Sequence, residues 1–191
     1  MIGSWTLVTP PAVEPVTLEE LKSHLYVDHD ADDALLALYA QAARVAVEAE
    51  CWRAILTQTW DLFLPAWPAD GVIVLPRPPL QSVTSITYRD GDNVTTTLAA
   101  ATYEVDTASE PGRVVMAVGQ SWPSATLAAS NPIRVRFVAG WADAASVPGM
   151  IKAAILLQAG ELYVQREAVS DKPLAVAPAV ARMLNLLRVR F

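Results

Sequence analysis

The chain has 191 residues, of which 53% are hydrophobic and 18% charged, and its 20 acidic and 14 basic side chains give a formal net charge of −6. This apolar balance excludes an intrinsically disordered chain, and the acidic charge excludes a basic nucleic-acid-binding domain. No run reaches the roughly 18 consecutive apolar residues of a membrane span, so we expect a soluble protein that buries its excess apolar surface between subunits.

The first 56 residues predict an extended arm followed by helices. Residues 1–16 contain three prolines, which disfavour helix, and predict an N-terminal arm. Thr17 and Glu20 have the spacing of a capping box that begins a short helix, and a second helix is expected from about residue 31 to residue 56. We interpret residues 17–56 as the first part of a helical core. The second helix has an apolar stripe made of Leu35, Leu38, Ala42, Val45, Ala49 and Trp52.

The pattern changes at Thr57, where β-branched and aromatic residues, interrupted by proline and glycine, replace the helical periodicity. The run Asp90-Gly91-Asp92-Asn93 is typical of a hairpin turn. Residues 57–146 therefore predict an inserted antiparallel β module. Its predicted strands are 57–64, 71–75, 82–88, 94–98, 103–105, 113–118 and 133–138.

Helical periodicity returns after Pro148, and we interpret residues 147–170 as the second part of the helical core. This helix is apolar on nearly every side as far as Glu161, so we expect a neighbouring subunit to cover it. Residues 171–191 predict a last helix and tail. The predicted fold class is α+β, in which an α-helical core, with long helices near both ends of the chain, carries the inserted antiparallel β module.

Charge is unevenly distributed along the chain. Residues 1–56 contain nine acidic side chains, whereas residues 172–191 contain four basic side chains and no acidic one. An acidic front and a basic tail favour a directional, head-to-tail contact between subunits. The alternative is that both are ordinary solvent-exposed faces.

A group of carboxylates near the start of the second helix resembles a calcium-binding loop. Asp28, Asp30 and Asp32 have the spacing of its first three ligands. However, Asp33 stands where such a loop needs glycine, and Tyr39 stands where it needs a bidentate glutamate. We therefore interpret these carboxylates as a helix start, where negative charge is favourable.

Two other sequence features suggest a catalytic nucleophile, but neither has the surroundings that a nucleophile needs. Gly119-Gln120-Ser121-Trp122-Pro123 begins like a nucleophile elbow, but proline replaces the second glycine and no histidine follows. Cys51 lies beside Trp52 on an apolar stripe, which is typical of a buried packing residue. We expect no catalytic residue, no metal site and no cofactor, and the protein is predicted not to be an enzyme.

Tryptophans in and beside the β module give an alternative function. Trp60, Trp67, Trp122 and Trp141 have the side chains that line sugar sites, although core and interface packing also explains them. The alternative is therefore a carbohydrate-binding protein that uses exposed tryptophans of its β module.

The order of these elements resembles the head–tail connector (adaptor) proteins of long-tailed bacteriophages, prophages and gene transfer particles. The resemblance extends over roughly residues 7 to 190. It is carried by Pro15-Val16-Thr17-Leu18-Glu19-Glu20-Leu21-Lys22, by Leu75-Pro76-Arg77-Pro78-Pro79-Leu80-Gln81-Ser82-Val83 with Ile86-Thr87-Tyr88-Arg89-Asp90, by Trp122-Pro123, by Gly140-Trp141, and by Val147-Pro148 with Ile151-Lys152.

This resemblance implies a structural virion protein. It implies a dodecameric homo-oligomeric ring at the head–tail junction that docks on the portal protein and binds a tail completion or stopper protein. Genomic DNA would pass through the channel without sequence-specific binding, and no membrane would be involved. Assembly would take place in the bacterial cytoplasm.

The apolar helices and the basic tail give two sets of expected contact residues. The alternative for the last helix is that it packs on the core of its own chain. Portal docking is expected of Val180, Arg182, Met183, Leu184, Leu187, Arg188, Arg190 and Phe191. Subunit contact is expected of Leu35, Leu38, Ala42, Ile151, Ile155 and Leu162.

Overall fold

A computed structural model of the protein describes residues 3–165 and 178–189. Helices are combined with antiparallel sheets, which confirms the predicted α+β class. The chain divides into two compact units. The helical unit comprises Ala12–Leu56 and the described part of Trp141–Arg190, and the β unit comprises the described part of Met1–Pro11 together with Thr57–Gly140.

The helical unit begins with α1 (Leu18–Leu25), which has the predicted capping box. The Glu20 amide donates to Thr17 Oγ1 at 3.0 Å, and the Thr17 amide donates to Glu20 Oε2 at 2.7 Å. Each bond satisfies an amide that the first helical turn leaves without a partner. The helix ends at Tyr26, which takes a left-handed conformation with φ of 57°.

The second helix, α2 (Asp33–Cys51), is shorter than the sequence predicts. It ends because Trp52 is left-handed, with φ of 60°, and residues 53–55 that follow have no regular secondary structure. Leu56 forms an isolated bridge to Trp141, and the Trp141 amide donates to the Ile55 carbonyl at 3.2 Å. Residues 141–146, predicted as part of the β module, therefore belong to the helical unit.

The core of the helical unit lies between α1, α2, α3 (Gly149–Val164) and α4 (Pro178–Asn185). Gly160 lets α1 and α3 approach closely, because a Cβ added there would lie 3.2 Å from Leu25 Cδ2. None of the described helices is both long and apolar enough to cross a membrane. The core residues include Leu21, Leu36, Ala40, Ala43, Val47, Cys51, Ile151, Ala154, Ile155, Ala159, Val180 and Leu184.

This core corrects one part of the expectation that a neighbouring subunit covers α3, because the core side of that helix is covered by its own chain. Ile151 and Ile155, which were expected at a subunit interface, are completely buried inside their own chain. The physical reason is that α1, α2 and α4 surround the apolar side of α3 and exclude water from it. One subunit therefore covers most of this helix by itself.

The β unit contains two antiparallel sheets. The larger sheet has the order β1-β2-β8-β4-β5, and the smaller has the order β3-β7-β6. The seven strands predicted between residues 57 and 138 all have a counterpart, and part of the predicted N-terminal arm forms an edge strand. The strands are β1 (Ser4–Thr9), β2 (Gln58–Leu64), β3 (Val72–Val74), β4 (Leu80–Arg89), β5 (Thr95–Thr97), β6 (Tyr103–Asp106), β7 (Arg113–Met116) and β8 (Ile133–Ala139), and a short 3₁₀ helix (Ala100–Thr102) precedes β6.

The two faces of the larger sheet differ in polarity. Leu62 and Ile86 both pair in register with Val135 in β8, and this row is buried. One position along, on the opposite face, Asp61 pairs with Arg136, and two hydrogen bonds of 2.8 Å join their side chains. These bonds raise the pKa of Arg136.

The turns of the β unit are held by aspartate side chains. The predicted hairpin turn joins β4 to β5, and Asp90 Oδ1 accepts hydrogen bonds from the amides of Asp92 and Val94. After β6, Asp106 accepts from the Ser109 hydroxyl and from the amides of Ala108 and Ser109. These bonds, with the Ser109 hydroxyl contributing most, lower the pKa of Asp106 to about 2.

We predict that Ser109→Ala raises the pKa of Asp106 toward the ordinary 3.8, because the largest contribution to the shift is removed. The stabilisation that Asp106 provides is present above the ordinary pKa and is lost as the pH falls from about 4 to about 2. A carboxyl NMR titration measures the shift. Ser121→Ala, in an exposed loop, is the control and should leave the titration of Asp106 unchanged.

We predict that Leu36→Ala lowers the free energy of unfolding by about 2–5 kcal/mol, because Leu36 is completely buried in the helical core. Leu38→Ala, two residues along the same helix and exposed, should change it by less than about 0.5 kcal/mol. Urea denaturation of dilute protein, followed by circular dichroism, measures both. Equal losses for the two variants would contradict the assignment of the buried side of α2.

Candidate subunit-interface site

Helix α2 is apolar on two opposite sides. Its buried stripe consists of Leu36, Ala40, Ala43, Val47 and Cys51, which is not the stripe predicted from the sequence. At 100° per residue, the predicted stripe lies on the far side of the helix from the core. Leu38 is 57% exposed and Val45 is 52% exposed. We call the exposed residues Ala34, Ala37, Leu38, Gln41, Ala42, Val45 and Ala49 the outer face of α2.

The outer face of α2 carries no charged side chain, although the whole helix is described. Surface helices ordinarily present charged and polar residues to water. An exposed apolar stretch of this length on a folded chain is a candidate interaction surface. Leu35, at the edge of the outer face, is half-buried, so the predicted contact residues Leu35, Leu38 and Ala42 lie together on one side of α2.

The charged residues in the middle of α2 point into the helical unit. Arg44 is only 4% exposed, and its Nε donates to Glu14 Oε2 at 2.7 Å. Arg44 Nη1 donates to Glu48 Oε2 at 2.9 Å, and Glu48 Oε1 accepts from the Ile55 amide at 2.9 Å. We call Glu14, Arg44 and Glu48 the Arg44 ion network. It was missed in the sequence, where the only signal is an Arg–Glu pair four residues apart in an otherwise uncharged stretch.

The carboxylates at the start of α2 form hydrogen bonds that join this helix to α1 and α3. Lys22 Nζ donates to Asp30 Oδ1 at 2.6 Å and to Asp33 Oδ1 at 2.9 Å, and these bonds raise the pKa of Lys22. Tyr163 donates its hydroxyl to Asp32 Oδ2 at 2.7 Å, which joins the end of α3 to the start of α2. Within the described residues, no group of three or more His, Cys, Asp or Glu side chains is placed to hold a metal ion.

Helix α3 also has an exposed apolar side. Met150 and Leu157 are exposed and Ala153 is half-buried, and we call these three residues the outer face of α3. Glu161, which accepts a hydrogen bond from Gln165, lies at its C-terminal edge. Leu162, the remaining predicted contact residue of this helix, is half-buried.

The last helix is fixed to its own chain, as the alternative interpretation held. Val180 and Leu184 are completely buried in the helical core, which removes them from any portal surface. The reason is that the apolar side of α4 packs on α2 and α3. Of the other residues predicted to dock, Met183 and Leu187 are half-buried, Arg182 and Arg188 are exposed, and Arg190 and Phe191 lie outside the described residues.

Polar contacts hold the segment after α4 in place. Arg53 Nε donates to the Leu187 carbonyl at 2.7 Å, and the Val189 amide donates to the Cys51 carbonyl at 3.2 Å. Arg188 Nη1 lies 3.7 Å from Glu50 Oε1, within an exposed ion pair. The end of the described chain is therefore joined to the turn that follows α2.

The tryptophans of the alternative sugar site are engaged in packing. Trp67 and Trp122 stack on each other, with ring centroids 4.6 Å apart, and Trp122 Nε1 donates to the Pro68 carbonyl at 3.0 Å. The Arg77 guanidinium lies 5.4 Å from the ring centre of Trp60, and the Arg53 guanidinium lies 5.9 Å from that of Trp141. A sugar platform needs free ring faces, so these contacts disfavour the carbohydrate-binding alternative.

The two residues that suggested a catalytic nucleophile, Cys51 and Ser121, lie in surroundings that do not activate a nucleophile. Cys51 is buried, and burial raises the pKa of its thiol, which disfavours the reactive thiolate. Ser121 lies in an exposed loop after β7, and the residues that follow it form a second loop and then β8 instead of the helix of a nucleophile elbow.

Comparison with known proteins identifies one family and one shared fold. The family described as "Phage gp6-like head-tail connector protein" matches residues 15–110. Two solved chains, from the virion of a native gene transfer agent particle and from the neck of an empty one computed with C6 symmetry, are each 24% identical to this chain, with a TM-score of 0.78 over 98% of this chain and 96% of theirs. A chain from the neck of a native particle, computed with C12 symmetry, is 24% identical, with a TM-score of 0.73 over 100% of this chain and 97% of that one. No curated protein matches the sequence.

We predict that Arg44→Ala lowers the free energy of unfolding by about 3–5 kcal/mol, because it leaves the buried Glu48 carboxylate without its cationic partner. Arg188→Ala, which breaks an exposed ion pair in the same unit, should lower it by less than about 1 kcal/mol. Urea denaturation measures both changes. A loss of less than about 1 kcal/mol for Arg44→Ala would show that the network does not support the fold.

Proposed function

The chain belongs to the phage gp6-like head–tail connector family, and we propose that it forms a ring that docks on the portal of a phage-like particle and links the portal to tail completion proteins. It is a structural protein of the head–tail junction. In this proposal, genomic DNA passes through the ring, and the ring is built in the bacterial cytoplasm before it joins the particle.

The observation that carries the proposal is the uncharged outer face of α2. A subunit that remained alone in water would expose Leu38 and Val45 with no compensating contact. Burial of such residues against another subunit is favourable in proportion to the apolar area removed from water. The shared fold supports the same conclusion, because necks of gene transfer agent particles were computed with C12 and C6 symmetry. We propose twelve copies for this chain.

The acidic composition suits a ring through which DNA moves. Basic side chains that neutralise phosphates release counterions and hold the duplex in place. With a net charge of −6, the chain has few basic groups to spare for such contacts. We therefore propose a neutral or acidic channel that lets the duplex slide.

For the portal contact we propose the exposed side of α4 and the residues beyond it. Val180 and Leu184 hold the helix on its core, so Arg182 and Arg188 remain as the described docking groups of the predicted set. Leu186, which is 78% exposed, lies beside them and adds apolar area. Two guanidinium groups suit an acidic partner, since each can make charge-assisted hydrogen bonds with carboxylates. Arg188 would exchange its exposed ion pair with Glu50 for a carboxylate of the portal.

We predict that the double variant Arg182→Glu, Arg188→Glu folds normally but reduces the yield of tailed particles at least about ten-fold, because it reverses the charge offered to the portal. Electron microscopy should show DNA-filled heads without tails, and circular dichroism of the purified variant checks its fold. Arg113→Glu is the matched control, because it breaks an exposed ion pair with Asp106 in the β unit as Arg188→Glu breaks the exposed pair with Glu50.

Two results of this experiment would count against the proposal. Normal tail attachment with both arginines reversed would contradict the portal contact. Absence of the wild-type protein from the neck of purified particles would contradict the connector function itself, and labelling with an antibody in electron microscopy detects it there.

A further inference from the structure

Two of the helices in the helical unit have an apolar outer face on the side away from the core. In α2, the outer face lies about 180° around the helix from the buried stripe, at 100° per residue. In α3, Met150, Ala153 and Leu157 likewise lie on the side of the helix opposite the buried Ile151 and Ile155. Because the two helices pack on each other through their buried stripes, their outer faces point in opposite directions from the pair.

Two unlike faces on opposite sides of one subunit are what a closed ring requires. In a heterologous interface, one surface of a subunit meets a different surface of the next, and the contact repeats until the ring closes. An isologous interface would use the same surface on both copies and would stop at a dimer. The outer faces of α2 and α3 provide the two different surfaces.

We propose that the outer face of α2 in one copy of the chain packs on the outer face of α3 in the next copy. The occupant of each face is a second copy of this chain. This inference rests on the proposed ring function and identifies the contact that builds the ring.

The absence of charge on both faces suits this pairing. No charged side chain lies on the outer face of α2 or among Met150, Ala153 and Leu157 of α3, and both helices are fully described. Lys152 lies on the flank of α3, and Glu161 lies at the C-terminal edge of its outer face. An uncharged apolar surface is poorly covered by nucleic acid or by a strongly charged partner, since their charges would lose hydration without compensation.

The direction of the helices predicts which residues meet. The bond from the Tyr163 hydroxyl to Asp32 places the end of α3 beside the start of α2, so the two helices run antiparallel within one chain. Adjacent copies in a twelve-membered ring differ by a rotation of only roughly 30°, which keeps α2 of one copy nearly antiparallel to α3 of the next. Ala42, near the middle of α2, should therefore lie opposite Leu157, near the middle of α3.

Cysteine cross-linking in purified particles tests this pairing. The double variant Ala42→Cys, Leu157→Cys, treated with a short bis-maleimide, should give a ladder of covalent oligomers on a denaturing gel. Each single variant should give none, because a heterologous contact keeps identical residues apart. The wild-type protein is the control for Cys51, which is buried and should not react.

The results separate the pairing from the ring function. Covalent dimers from Ala42→Cys alone would indicate an isologous contact and would overturn the proposal. If the protein is present in necks but the double variant gives no ladder, this pairing is wrong and the ring function stands. If the protein is absent from necks, the ring function and this inference both fail.

A charge-pair experiment provides an independent readout. Ala42→Lys and Leu157→Glu should each reduce the yield of tailed particles at least about ten-fold, because each places one unpaired charge in an apolar contact. Combining them in one chain should recover much of the loss, since the two charges then face each other across every interface. Circular dichroism checks that each variant folds, and no recovery in the combined variant would overturn the pairing.

Discussion

The buried Arg44 ion network is the interaction on which the helical unit depends. A guanidinium that is 96% removed from water is tolerated only when carboxylates and hydrogen bonds replace its hydration. Glu14 provides one carboxylate from the segment before α1, and Glu48 provides the other from the next turn of α2. Since Glu48 also accepts from the Ile55 amide, one cluster of charges joins three separate parts of the chain.

The same network explains how α2 can be apolar on two sides. Between Asp33 and Glu50, its only charged residues are Arg44 and Glu48, and both are buried. If either pointed to solvent, the outer face would carry the charge that surface helices usually have. Because the charges point inward, the helix keeps an uncharged surface that is available to another subunit. A structural requirement of the core thus creates the surface on which we propose that assembly depends.

The sequence predicted local structure better than it predicted which side of a helix is buried. The Thr17–Glu20 capping box and the turn at Asp90 were predicted because their causes are contacts between neighbouring residues. The two apolar stripes of α2, by contrast, repeat at the same spacing, and periodicity cannot tell a core contact from a subunit contact. The end of α2 was also missed, because tryptophan at Trp52 takes a left-handed conformation that ordinarily favours glycine or asparagine. Burial of Ile151 and Ile155 depends on α1, α2 and α4, which come from distant parts of the chain.

The helices α2, α3 and α4 each have one side that packs on the core and an outer side that faces solvent. Val180 and Leu184 fix α4 to the core, while Arg182 on the same helix points to solvent, so α4 repeats the arrangement of α2 and α3 with a basic outer side. A short helix that used its apolar side for the portal would have to leave the core and expose the parts of α2 and α3 on which it packs. Contact through the outer side avoids that loss. In the proposed assembly, the neighbouring subunits and the portal would therefore bind a fold that is already complete, and each contact would add to its stability because it favours the folded state alone.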